Sequence, residues 1–246
     1  MSDSENSPTV RLTKALDDRA VSGHPVSFWL RDDDAIAPCE SLDALLKLTA
    51  SFSVPLTLAV IPAHTGLALA QRLDACSGVS VAVHGWSHTN YAGADEKKQE
   101  LGNHRALNEV TAELQRGFRR LSEWHPSRFV PLLVPPWNRI ASDVANQIGA
   151  LGFKGLSTFG EEKPGCPRSV NTQVDIIDWK GTRGGRPANE LADEVTMQVQ
   201  NGRSAIGILT HQLVHDEAAW HFLRQLFEVS SAHAGARWVS VSELMK

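Results

Sequence analysis

Short, nearly unbroken apolar runs alternate with amphipathic segments along almost the whole chain, and this alternation restricts the fold more than any other feature. The runs are Val26–Arg31, Pro55–Ile61, Val79–Val83, Phe129–Val134, Phe153–Ser157, Val174–Trp179, Ala205–Leu209 and Trp238–Val241. Apolar residues follow one another within them, as in strands covered on both faces. The segments between them have the helix period. Ser41–Phe52 carries Leu42, Leu45, Leu46 and Leu48, and Leu107–Trp124 carries Leu107, Val110, Leu114, Phe118 and Leu121 at three- and four-residue steps. Ala188–Val199 and Glu217–Val229 repeat the pattern. Strand and helix in turn mean parallel strands joined by crossover helices. Seven or eight such units predict an α/β chain closed as a (β/α) barrel, with an open doubly wound sheet as the alternative.

The chain has 246 residues, 42% of them hydrophobic, enough for one substantial core. There is no internal repeat, low-complexity tract or Ser/Pro-rich linker. One barrel domain over residues 25–246 is expected, preceded by a polar arm or capping helix at residues 1–24. Gly160–Asn171 and Gly181–Pro187 are the irregular stretches. A net charge of −4 and a pI near 6.2 give no basic surface for a nucleic acid or an anionic membrane. Cys39, Cys76 and Cys166 are odd in number and scattered, which argues against a disulfide framework. The first residues lack the apolar core of a signal peptide, and no stretch approaches the ~20 apolar residues of a membrane span. A soluble cytoplasmic protein is therefore expected.

In a barrel the segments that follow the strands build the active site. The first run ends in Arg31-Asp32-Asp33-Asp34. Three successive carboxylates there form either a solvated turn, with Asp34 as a helix N-cap, or a cation site. The third run ends in His84-Gly85-Trp86-Ser87-His88, two imidazoles four residues apart that would share one side of a helical turn. Two His and one Asp complete a three-ligand hydrolytic metal site with its fourth position open to water. Past the fourth run stand Pro135, Pro136, Trp137 and Asn138, where Trp137 is either a core residue or an apolar wall for a sugar ring. The sixth run holds Asp175 and Asp178, followed by Arg183. These form a surface ion pair or orient a catalytic base. The seventh leads into His211, a structural histidine or a general acid whose pKa lies near neutrality. His215 and Asp216 start a helix or partner the metal site. His64 lines a pocket at most. His104, His125, His221 and His233 have no supporting partners and read as structural.

Taken in order, these motifs resemble those of the polysaccharide deacetylase family, the NodB-homology domain, over roughly Val26 to Trp238. That family has a distorted (β/α)7 barrel, and its first motif is T-F-D-D-G. The resemblance implies Asp33 as catalytic base and Asp34 as metal ligand, or, with a one-residue slip, Asp32 and Asp33. It implies His84 and His88 as the other ligands, with Gly85 at the small-residue position of H-(S/T)-x-x-H. R-P-P-Y falls on Val134-Pro135-Pro136-Trp137, and L-x-H falls on Leu209-Thr210-His211, making His211 the general acid. Trp86, Pro136, Trp137, Asn138 and Arg183 are the implied substrate contacts. Three departures mark a divergent member. Val134 replaces the arginine that pairs with the base, so that Arg31, Arg139 or Arg183 would have to supply its charge. Ala35 replaces the glycine, and Asp32 the phenylalanine.

The implied activity is hydrolysis of the N-acyl bond of a sugar or small amide at a divalent metal. Zn²⁺ is expected, although mixed N/O ligation also suits Fe, Co, Mn or Ni. The rival readings are a catalytically altered barrel that binds a carbohydrate or metabolite, and an amidase acting on a non-sugar amide.

Overall fold

The computed structural model describes residues 7–162 and 168–246. Cys166, part of the Gly160–Asn171 stretch and the start of the N-terminal arm lie outside the described residues. The strands are β1 (Val26–Ala35), β2 (Leu56–Val60), β3 (Val79–His84), β4 (Phe129–Val134), β5 (Gly155–Leu156), β6 (Arg168–Ser169), β7 (Val174–Asp175), β8 (Ala205–Thr210) and β9 (Ala236–Trp238). The helices are α1 (Pro8–Val21), α2 (Glu40–Ser51), α3 (Leu67–Leu73), α4 (Leu107–Trp124), α5 (Ser142–Ala145), α6 (Ala188–Gln200), α7 (Glu217–Ser230) and α8 (Val241–Leu244). Hydrogen-bonded neighbours run β6-β5-β4-β3-β2-β1-β8-β7, with β9 on β1. The described strand pairs are parallel, including β1–β8, β3–β4 and β7–β8. This is the α/β topology of a distorted (β/α)7 barrel, the fold that the resemblance implies.

The chain divides into two compact units. The first comprises Met1–Asp32, Cys39–Leu56 and Thr172–Ser240. Here β1 pairs with β8 from Ser27↔Ala205 to Asp32↔Thr210, and with β9 from Val26↔Ala236 to Phe28↔Trp238. Phe28 stacks on Trp238 at 5.3 Å, and Phe227 of α7 meets Trp238 edge-on at 5.1 Å. The expected arm is a helix from Pro8 onward. Ser7 caps it by accepting from the Val10 amide (3.3 Å), and Pro8 sits where a missing N–H costs nothing. Leu12, Ala15 and Leu16 are buried, and α1 packs on α6.

The second unit comprises Asp33–Pro38, Thr57–Asn171 and Val241–Lys246. Here β3 pairs with β4, bringing His84 opposite Val134. Helix α4 buries Val110, Leu114 and Leu121 of the predicted stripe, together with Gly117, while Leu107 at its start is exposed. Phe118 on the same helix meets Phe129 and Phe153 edge-on at 4.9 and 5.1 Å. Gly117 is a close-approach position, since a Cβ there would lie 2.9 Å from Pro62 Cγ.

The sixth run forms strand over only Val174–Asp175, not to Trp179. Asp175 Oδ1 accepts from the Ile177 amide (3.0 Å), and Asp178 accepts from the Gly181 and Thr182 amides (3.0 and 3.1 Å). Side chains that bond nearby backbone compete with a ladder. The last strand lies earlier than the Trp238–Val241 run, because Ala236 takes the place beside Val26 and Val241 already opens α8.

Candidate metal centre

Two strand ends of the second unit supply the site. At the end of β1, Asp34 has φ 71°. Such a backbone is uncommon for a residue with a Cβ, and strain of this kind clusters at functional sites. At the end of β3, His84 is buried, and the chain then turns through Gly85 (φ 58°) to His88 (φ 55°). The H-x-x-x-H segment is therefore a turn, not the expected helical one. Its two left-handed residues, and not the helix period, bring the imidazoles together. Asp34 Oδ1 lies 3.1 Å from His84 Nε2 and 3.3 Å from His88 Nε2. One donor atom from each of the three residues lies within 4.8 Å of the others.

Elementary hydrogen-bond chemistry tests whether this set fits a cation. His84 Nδ1 lies 2.9 Å from the Val134 carbonyl oxygen, which can only accept. Nδ1 therefore carries the proton. In the neutral ring, Nε2 turns a lone pair toward an Asp34 oxygen that also bears only lone pairs. A cation between them resolves that opposition, and a backbone carbonyl on the remote nitrogen is the usual support for a ligating histidine. Burial and the neighbouring His84 push the His88 pKa down to about 4, against the opposing pull of Asp34 and Asp33. His88 is thus neutral and able to ligate across the physiological range. The donor set and its protonation fit a divalent metal with mixed N/O ligation.

The Pro136–Asn138 turn forms one side of this group. The Asn138 amide donates to the Pro135 carbonyl (2.9 Å), and both Trp137 (φ 55°) and Asn138 (φ 57°) are left-handed. The Trp137 ring lies 4.3 Å from that of His88. Trp86 faces elsewhere, its indole lying 4.9 and 5.0 Å from the guanidinium groups of Arg116 and Arg120 on α4. His64 is exposed, with its Nε2 3.1 Å from the Ser87 carbonyl.

One residue of the centre escaped the sequence reading. Glu100 is 1% exposed, and its carboxylate accepts from the Ser87 amide (2.7 Å), the Ser87 hydroxyl (3.1 Å) and the Trp86 amide (3.2 Å). It stands in a polar stretch without hydrophobic periodicity, so no pattern in the sequence marks it.

The other strand-end residues, Asp33 apart, belong to the first unit. Arg31 and Asp32 are fully buried, and Asp32 Oδ2 accepts from the Gln212 amide (2.8 Å). Asp32 thus pins the turn after β8, while the carboxylate beside the imidazoles is that of Asp34. Asp33, 2% exposed, lies between them in sequence. His211 meets Trp179 edge-on at 4.6 Å, and the Trp179 indole N–H donates to Asp175 (3.0 Å). His215 bonds the Thr210 hydroxyl and meets Trp220 at 4.3 Å. Burial, with His211 adding, lowers its pKa to about 4. Arg183 is left-handed (φ 62°), and its amide donates to the Asp178 carbonyl (2.9 Å). Asp216 caps α7 through the Ala219 amide (3.0 Å) and accepts from the Gly185 amide (2.9 Å).

Solved structures share this parallel β/α fold. A candidate polysaccharide deacetylase from Mycobacterium smegmatis superposes with a TM-score of 0.68 at 18% identity, over 91% of this chain and 90% of that one. A family 4 acetyl xylan esterase from Clostridium thermocellum, in complex with a cobalt ion, gives 0.56 at 17% identity, over 89% of each chain. A CE4 family pseudoenzyme from Bacillus anthracis gives 0.60 at 14% identity, over 90% of this chain and 66% of that one. The fold is that of the CE4 polysaccharide deacetylases. No protein-family profile matches the sequence, and no curated protein matches it. Among the described residues, no helix is long and apolar enough to cross a membrane.

Proposed function

We propose that this chain is a metal-dependent hydrolase that deacylates an N-acetylated or otherwise N-acylated sugar or small amide. The observation that carries the reading is the convergence of Asp34, His84 and His88, with the His84 tautomer set by the Val134 carbonyl. The deacetylase and the cobalt-bound esterase that share this fold support it.

When bound, a divalent cation, Zn²⁺ in this reading, supplies Lewis acidity that polarises an acyl carbonyl and lowers the pKa of water from ~15.7 toward ~7. The chain's own groups do the rest. Asp33 accepts the proton of the attacking water on a carboxylate oxygen. His211 delivers a proton from a ring nitrogen to the leaving amine. Arg31 and Asp33 are two positions apart on β1, which puts both on one face of a strand. Fully buried, Arg31 is the cation we assign in place of the family arginine missing at Val134. Trp137, with Pro136 and Asn138, offers the apolar wall and polar edge for a sugar ring. The free thiols of Cys39 and Cys76 suit action in the cytoplasm.

Metal content and release of acetate from small N-acetyl sugars, compared in wild type and His84→Ala, test the reading. The variant should lose both, with a metal affinity reduced beyond the ~100-fold typical of changes outside the ligand set. A wild type that takes up no divalent metal under any loading sinks it. Sugar binding that survives complete metal removal, without turnover of any acylated compound, would favour a binding module. Turnover of non-sugar amides alone would identify an amidase.

A further inference from the structure

We propose that Glu100 is a positioning residue of the metal centre, acting through the turn that carries His88. The inference rests on the metal reading above.

Past Gly85, whose amide donates to the Val134 carbonyl (3.2 Å), the turn to His88 has no regular ladder to satisfy its N–H groups. Two successive amides, Trp86 and Ser87, point instead at one carboxylate, an arrangement that forms an anion-binding nest. The anion comes from the chain itself. Glu100 Oε1 takes the Ser87 amide and hydroxyl, and Oε2 takes the Trp86 amide. Hydrogen bonds to a charged acceptor are roughly twice as strong as neutral ones. Position 85 must lack a side chain for this to happen, because a Cβ on Gly85 would overlap the Glu100 carboxylate and lie 2.7 Å from Pro136.

Glu100 is itself anchored. Its neighbour Leu101 bridges Ile140, and the Ala141 amide donates to the Leu101 carbonyl (2.8 Å). The anchor is thus the stretch just past the Pro136–Asn138 turn, whose Trp137 ring lies against His88. Glu100 joins the two turns between which His88 is held. His84 does not depend on it, because Val134 orients that ring from the sheet.

The roles of the two histidines separate on this account. Loss of Glu100 should release His88 and leave His84 in place, a change in coordination and not merely in stability. Co²⁺ reads it directly through its visible d–d bands. Wild type, Glu100→Gln and Glu100→Ala would be titrated with Co²⁺ and with Zn²⁺ against a competing chelator. Circular dichroism and melting of the metal-free proteins would run alongside. Gln keeps the shape and one acceptor oxygen but turns an N–H₂ toward a donor. Its metal affinity should fall ~10–100-fold, the range of an outer-shell loss, with Co²⁺ bands shifted toward fewer nitrogen ligands. Ala should fall further, and Glu100→Gln should lie between it and wild type. Folded Glu100→Gln and Glu100→Ala with wild-type affinity and an unchanged Co²⁺ spectrum would overturn the inference while leaving the metal reading intact. A wild type that takes up neither ion overturns both.

Discussion

Asp34 follows the first apolar run and Asp178 stands near the end of the sixth, two strand-end carboxylates alike in sequence, yet the chain uses them in opposite ways. Asp178 bends back onto its own turn and accepts the Gly181 and Thr182 amides. Asp175 does the same for Ile177 and the Trp179 indole. Asp34 instead faces two imidazoles. The difference lies in who satisfies the nearby backbone. Around Asp178 the local carboxylate does it. In the His84–His88 turn it is Glu100, a carboxylate brought from further along the chain, and not Asp34, that accepts the Trp86 and Ser87 amides.

The sharpest way to break this contrast is a matched pair of substitutions. Asp34→Asn should abolish metal uptake, with affinity down more than ~100-fold, and hardly change melting of the metal-free protein, because Asn tolerates φ 71° well. Asp178→Asn should bind metal as wild type does and lose about 1 kcal/mol from weakened charge-assisted bonds. Chelator competition and thermal melting decide, and metal loss in Asp178→Asn would erase the distinction. A second pair compares glycines, each of which would press a Cβ onto a carboxylate, Glu100 for Gly85 and Asp178 for Gly181. Gly85 combines this with positive φ and Pro136 behind it. Gly85→Ala should cost about 2–3 kcal/mol, or roughly 4–12 °C in Tm at about 2–4 °C per kcal/mol. Gly181→Ala should cost less, because Gly181 lacks the positive φ and the proline of Gly85 and the Asp178 carboxylate is only half-buried. Equal melting losses would show that the buried staple confers nothing special.

The smallest effect concerns pH. His215 lies beside Asp216, which caps α7 and holds Gly185, and its pKa is depressed to about 4. A histidine that binds its proton less readily when folded favours folding fully above its ordinary pKa of 6.5. That contribution is lost as pH falls from 6.5 toward 4. Its size is at most about 3 kcal/mol. His88 titrates over the same window with the same sign. His215→Gln should therefore narrow, without closing, the Tm gap between pH 7 and pH 4.5. An unchanged gap would count against the burial of a neutral imidazole there.

Much of this architecture can be read from residue patterns. Buried parallel strands announce themselves by unbroken apolar runs, and α4 by its period, so β4 and α4 lie where the sequence puts them. Asp34, His84 and His88 were legible as a candidate trio because each lies within five residues of the end of such a run. What the sequence hides is set by hydrogen bonds between distant segments. The short β7 reflects local capping by Asp175 and Asp178. Two-residue β6 carries no periodicity. Glu100 is one acid in a polar loop, and only the amides it meets give it a role. Left-handed backbone at Asp34, His88 and Trp137 is equally invisible, since none of them is a glycine.

The orientation of His84 by the Val134 carbonyl bears on how such a site drifts over evolutionary time. A ligand steadied by a partner side chain loses its support when that side chain mutates. Here the support belongs to the main chain, which every residue at position 134 except one that distorts the strand would provide. The same carbonyl accepts the Gly85 amide (3.2 Å), so one peptide group steadies the ligand and starts the turn. The side chain at position 134 takes no part in that contact, so a substitution there that keeps the strand leaves the imidazole its tautomer and its aim.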